Sequence, residues 1–122
     1  MSKKVLVVDD SATVRQQVRM ALSQSGFQVV EAVDGLDGKH KIDAARDISL
    51  VICDVNMPRM NGIDMLEAVK SQARHARLPV VMLTTEGQPA LIQRAKKAGA
   101  KGWIVKPFKA NLLVAAAQKL TG

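Results

Sequence analysis

A chain of 122 residues with 48% hydrophobic content is the size of a single domain, and it can bury roughly two thirds of its unfolded surface without a metal or a disulfide. No apolar stretch approaches the ~18 residues of a membrane span, the one cysteine excludes an internal disulfide, and two Phe and one Trp give no platform for stacking single-stranded bases. The net charge of +7 is lopsided, with 8 basic and 10 acidic residues in 1–67 but 10 basic residues against Glu86 alone in 68–122, a distribution that can steer an acidic partner, nucleic acid or a membrane surface.

The start, Met1-Ser2-Lys3-Lys4, runs straight into a strand pattern without a signal-peptide layout, so a soluble cytoplasmic protein is expected. Val5 to Val8 form a β-branched run that stops at Asp9-Asp10. Ser11 or Thr13 can cap the helix that follows, whose apolar face is Val14, Val18, Ala21 and Leu22 and whose stop is Gly26. Phe27 to Ala32 is a second strand, closed by Asp34-Gly35. The second helix, Leu36 to Arg46, has a thin apolar stripe of Leu36, Ile42 and Ala45, and Gly38 weakens it. His40 and His75 stand among polar residues and read as surface side chains, with no second His or Cys at ligand spacing.

Residues 50–58, Leu50-Val51-Ile52-Cys53-Asp54-Val55-Asn56-Met57-Pro58, are the centre of the chain. A short apolar run before a breaker marks a strand covered on both faces, and Asp54 would stand at its carboxyl end. Taken alone, such an aspartate is more often a helix cap or a loop residue. Cys53, inside the run, reads as a small core side chain. Asn61-Gly62 makes a turn, and Ile63, Leu66 and Val69 mark a third helix with Lys70, Arg74 and Arg77 towards its end. Pro79 to Leu83 is a fourth strand ending in Thr84-Thr85-Glu86. Pro89 opens a fourth helix and Gly99 closes it. Gly102 to Val105 is a fifth strand ending in Lys106-Pro107, and Lys109 to Leu120 is a last helix with Leu113, Ala116, Ala117 and Leu120 on one face.

Five strands alternating with five helices predict one α/β domain over 1–122, a doubly wound five-stranded parallel sheet with helices on both faces. In such a sheet all carboxyl ends share one rim, where ligands bind. Asp9, Asp10, Asp54, Thr84 and Lys106 therefore converge there from distant parts of the chain. Two unit charges about 4 Å apart repel by roughly 4 kcal/mol at an effective dielectric of 20, so three carboxylates need more counter-charge than Lys106 offers. Oxygen ligands with room for water suit Mg²⁺. A carboxylate flanked by a divalent cation, a lysine and a hydroxyl can accept a phosphoryl group, whose transfer depends mostly on positioning and counter-charge.

In the segments Val7-Val8-Asp9-Asp10-Ser11, Asp54-Val55-Asn56-Met57-Pro58-Arg59-Met60-Asn61-Gly62, Leu83-Thr84-Thr85 and Lys106-Pro107-Phe108, the chain resembles a receiver domain of the response-regulator family. It is closest in kind to the single-domain chemotaxis regulators. The resemblance implies a flavodoxin-like strand order 2-1-3-4-5 and a phosphorylation switch in a two-component system. Asp54 would accept phosphate from a sensor histidine kinase, Asp10, Asp54 and the Asn56 backbone carbonyl would ligate Mg²⁺ directly, and Asp9 would act through a bound water. Lys106 would pair with the phosphoryl oxygens, the Thr84 hydroxyl would bond one of them, and Lys106-Pro107 would be cis. Trp103 stands where the family has a switching Tyr or Phe. Asn56 and Glu86 would set the lifetime of the phosphoryl group, at seconds to minutes.

Output would run through binding, by residues 88–122, which carry Arg94, Lys96, Lys97, Lys101, Lys106, Lys109 and Lys119 and apolar Leu112, Val114 and Ala115. The expected partner is a protein with an acidic rim around an apolar groove, bound by a monomer or a phosphorylation-dependent dimer. No direct nucleic-acid or membrane contact and no activity beyond the domain's own phosphotransfer and autodephosphorylation are expected. A receiver within a larger regulator, or a phosphorelay shuttle, is the alternative. An aspartate-nucleophile phosphatase of the haloacid-dehalogenase type would need an acid where Asn56 stands. A flavodoxin-like cofactor binder would need a phosphate loop after the first strand.

Overall fold

In a computed structural model that describes residues 3–85 and 89–122, the strands are β1 (Lys4–Val8), β2 (Gln28–Ala32), β3 (Ile48–Asp54), β4 (Val80–Thr84) and β5 (Gly102–Val105). All pairings are parallel and the order is β2-β1-β3-β4-β5. The helices are α1 (Ala12–Gln24), α2 (Gly35–Ala44), α3 (Gly62–Lys70), α4 (Pro89–Ala98) and α5 (Ala110–Thr121). This is the predicted fold.

Side chains alternate across the sheet, and both faces are dry. Val5, Val7, Leu50, Ile52, Val81 and Leu83 pack with Val18 and Leu22 of α1 and Leu113 and Ala117 of α5. Leu6, Val8, Val51, Cys53, Val80 and Met82 pack with Ile42 of α2, Ile63, Met65, Leu66 and Val69 of α3, and Ala95 of α4. Burial on both faces is why the strands read as unbroken apolar runs. It also raises the pKa of the Cys53 thiol, keeping it protonated and inert.

Local chemistry sets the boundaries. Ser11, not Thr13, caps α1 by accepting the Val14 N–H at 3.3 Å. Gly26 and Gly99 end α1 and α4 with φ of 90° and 106°.

Four expectations need correction. Strand β3 begins at Ile48, two residues before its apolar run, because Ile48 pairs with Lys4 of β1 ahead of a register shift that brings Leu50 opposite Val5. Helix α2 stops at Ala44, and its Gly38 is buried rather than a defect: a Cβ there would lie 2.9 Å from Met65 Sδ and from Val8 Cγ2. Helix α3 ends at Lys70, so Arg74 lies in a separate 3-10 turn (Ala73–His75) and Arg77 beyond it. His75 is only 8% exposed, folded back beneath α2 with Nε2 3.3 Å from Asp43 Oδ1. His40 is exposed as expected.

Candidate functional site

The carboxyl ends of β1, β3, β4 and β5 bring the predicted residues to one rim. Asp9 and Asp10 follow β1, Asp54 and Thr84 end β3 and β4, and Lys106 follows β5. Asp9, Asp10 and Asp54 each place a carboxylate oxygen within 4.8 Å of the others. Their exposures differ in a useful way: Asp9 is fully buried, Asp54 is 6% exposed, and Asp10 is open to solvent.

Lys106 is the positive charge at the centre of this group. Its Nζ donates to Asp9 Oδ2 at 2.8 Å and lies 3.1 Å from Asp54 Oδ1. Burial alone would lower the Lys106 pKa, but the hydrogen bond to Asp9 and the charges of Asp54 and Asp9 raise it. The lysine is therefore held charged. Burial raises the Asp54 pKa first, the charge on Asp9 adds to that, and Lys106 offsets part of it. Asp54 is thus under-compensated by the protein alone. A hard divalent cation fits this donor set: three oxygen ligands in a cluster, one of them solvent-facing, with excess negative charge.

The neighbouring backbone explains the placement. Asp9 Oδ1 accepts the Ser11 N–H at 2.8 Å, the Asp9 N–H reaches Ala32 O at 3.1 Å, and Arg15 donates to the Asp9 carbonyl at 2.7 Å. The Val55 N–H bonds Leu83 O at 3.1 Å and the Gly62 N–H returns to Val55 O at 2.9 Å, closing the loop after Asp54. A Cβ on Gly62 would lie 2.0 Å from Asp54 O, so only glycine lets α3 start this close to β3. Asn56 is exposed in that loop. Thr84 is buried, and its carbonyl accepts the Lys106 N–H at 2.6 Å. The Lys106-Pro107 bond is cis.

Trp103, on the edge strand β5, pairs with Met82 and packs on the side of the sheet covered by α4. It shares a crevice of about 10 Å³ with Thr84, Val55, Met82, Leu91 and Ala95. Glu86 lies outside the described residues.

Two residues of the rim were missed in the sequence. Asp34 caps α2 by accepting the Asp37 N–H at 2.8 Å, and its other oxygen accepts from Arg59 Nε at 2.7 Å and from the second guanidinium nitrogen. Among the described residues Arg59 is the one non-glycine with positive φ, 65°. The Gly35 N–H adds a bond to Met60 O at 3.0 Å. An unpaired Asp-Gly after a strand and a single Arg after Pro58 gave no signal of this union. The expected basic output surface is also smaller than the sequence suggests. Arg94 pairs with Asp64 at 2.7 Å and Glu67 at 2.8 Å on α3, and Lys106 is taken up by the site.

A family model for the response regulator receiver domain matches residues 5–118. The chemotaxis protein CheY1 of Helicobacter pylori is 44% identical over 111 residues, covering 90% of each chain. A chemotaxis protein CheY homolog of Campylobacter jejuni is 38% identical, covering 90% of this chain and 85% of that one. The structure of chemotaxis protein CheY4 of Vibrio cholerae, crystallized at low pH, superposes with a TM-score of 0.92 at 41% identity, covering 98% of this chain and 99% of that one.

Proposed function

Because the chain belongs to the response regulator receiver domain family, we propose that residues 1–122 form one receiver domain that acts as a phosphorylation-activated switch of a two-component system serving chemotaxis. Receiver domains are signalling switches rather than enzymes acting on a separate substrate. The observation that carries the reading is the Lys106 ammonium bridging buried Asp9 and Asp54 beside exposed Asp10.

In this reading Asp54 Oδ attacks the phosphorus of a phosphohistidine on the kinase. An O–P bond forms, the P–N bond breaks, and the electron pair leaves on the imidazole. Asp10, Asp54 and the Asn56 carbonyl would hold Mg²⁺, with Asp9 acting through water. The bound ion would supply positive charge to the phosphoryl oxygens. Lys106 turns from the Asp54 carboxylate to a phosphoryl oxygen, and the Thr84 hydroxyl bonds another. Because Thr84 and Trp103 line one crevice, movement of the threonine is felt by the indole. Asn56 and Glu86 govern access of water to the acyl phosphate and give it a lifetime of seconds to minutes.

The output partner is a protein with an acidic rim and an apolar groove. It meets exposed Lys96, Lys97, Lys101 and Lys109 together with Leu112, which is 58% exposed, and Val105, which is 48% exposed. Charge reversal at Lys96 and Lys97 is expected to slow association with that partner and flatten its salt dependence.

The test is addition of beryllofluoride or acetyl phosphate with Mg²⁺ while following Trp103 fluorescence. A saturable change that vanishes in Asp54→Asn supports the reading. No change in the wild type, or the same change in Asp54→Asn, overturns it.

A further inference from the structure

At the end of the sheet opposite the carboxylates is a cleft of about 530 Å³ that plays no part in the phosphoryl chemistry. It lies where β3 begins and β4 is about to begin, at Ile48 and Pro79. Its floor is apolar, made by Ile42, Ile48, Leu78 and Pro79, and its rim carries Arg46, Arg74 and Arg77. All three arginines are exposed.

The charge of this cleft is positive after every neighbour is counted. Asp43 is the carboxylate that reaches its wall, and it accepts from Lys39 at 2.9 Å and Gln72 at 3.1 Å while pairing with His75 at 3.3 Å and Arg74 at 3.4 Å. Asp47 follows Arg46 but pairs with Lys4 at 2.7 Å. Arg46 and Arg77 have no carboxylate partner among the described residues. Two guanidiniums thus stand over an apolar floor with their charge uncompensated.

The segment that carries two of the arginines is held in place. Lys70 Nζ donates to the carbonyls of His75 and Ala76, each at 3.2 Å, and to that of Leu78. The His75 N–H closes a turn on Gln72 O at 3.0 Å. A rim on an ordered segment loses less entropy on binding than a mobile one.

We propose that this cleft is a second ligand site, taking a small organic phosphate with a flat apolar body, of nucleotide size. Guanidiniums match phosphate oxygens in bidentate geometry and stack on flat rings, and small-molecule sites occupy a few hundred Å³ with an apolar lining and a few placed charges. The phosphate meets Arg46 and Arg77, and the ring lies on Ile48, Leu78 and Pro79. An acidic peptide fits less well, because its side-chain carboxylates are spaced along a strand while this charge is gathered at one rim.

The experiment is an amide NMR titration of the intact chain in EDTA, which keeps the probe from binding the carboxylate rim as a metal complex. The probes are ATP, inorganic pyrophosphate and a peptide of alternating Glu and Leu. Saturable shifts from ATP at Ala45, His75 and Leu78 are expected, with pyrophosphate weaker and Arg46→Ala/Arg77→Ala lowering ATP affinity about tenfold or more. Trp103 fluorescence in beryllofluoride should be unaltered in that variant, which separates this site from the switch. No saturable shift from any probe, or ATP binding unaltered in the double variant, overturns the proposal. Pyrophosphate binding as tightly as ATP would leave an anion patch without a ring site, and tighter peptide binding would make the cleft a protein-docking surface; either result also overturns it.

Discussion

The Arg59 guanidinium closes on the buried carboxylate of Asp34, from a backbone position that L residues rarely adopt. One residue belongs to the loop after β3 and the other caps α2. The pair therefore ties two neighbouring rim loops together and holds the loop that contains Asn56. A left-handed conformation costs a non-glycine residue roughly 1–2 kcal/mol, which the ion pair offsets.

That balance can be separated into its parts. Arg59→Ala loses the ion pair and keeps the backbone cost, while Arg59→Gly loses both. The glycine variant is expected to be about 1 kcal/mol more stable than the alanine variant in urea denaturation. Equal stabilities would mean that the backbone stores no strain there.

Asp34 gives a pH signature. Its pKa is lowered, first by the Asp37 N–H and then by Arg59, against the opposing effect of burial. A depressed carboxylate contributes stability that is present above its unfolded value of 3.8 and is lost as pH falls through the folded value. Asp34→Asn should therefore cost about 1–3 kcal/mol near neutrality, and its deficit should shrink as pH drops below about 4. A deficit that stays constant from neutrality to acid pH would assign the loss to packing alone.

The carboxylate cluster predicts opposite effects of two substitutions in the absence of divalent ions. Asp54→Asn removes a repelling charge and should raise the melting temperature by a few degrees, about 1 kcal/mol. Lys106→Met leaves the carboxylates without their cation and should lower it by a similar or larger amount. Mg²⁺ should raise the wild-type melting temperature more than that of Asp54→Asn. Lowered stability in Asp54→Asn without Mg²⁺ would contradict the excess of negative charge.

Two glycines should part company. Gly62→Ala drives a Cβ to 2.0 Å from Asp54 O and is expected to cost at least about 1–3 kcal/mol and to abolish labelling by acetyl phosphate. Gly102→Ala meets nothing within 4 Å and should stay within about 0.5 kcal/mol of wild type. Denaturation and phosphoryl transfer, measured side by side, check both.

The strands and the rim residues were legible in the sequence because each depends on local pattern. An apolar run ending in Asp9, Asp54, Thr84 or Lys106 needs only strand direction to place its last side chain. What was not legible depends on distant pairing. His75 looks like a surface residue until the turn after α3 folds it against Asp43. Arg94 looks like part of a basic docking face until Asp64 and Glu67, on another helix, take it up. Gly38 looks like a weak helix position until Val8 and Met65 are seen to need its missing side chain. Asp34 and Arg59 are 25 residues apart and share no periodicity.

Asp9 and Lys106 are separated by 97 positions in the chain. The acids stand at the ends of β1 and β3, whereas their counter-ion follows β5, which pairs with β4 at the edge of the sheet. Closing a loop this long carries an entropic cost that grows slowly with its length, by about 0.6 kcal/mol per doubling. A sheet without β5 would hold the acids without the lysine. In the proposed reading, competence for phosphoryl transfer therefore requires the edge strand β5 to be docked.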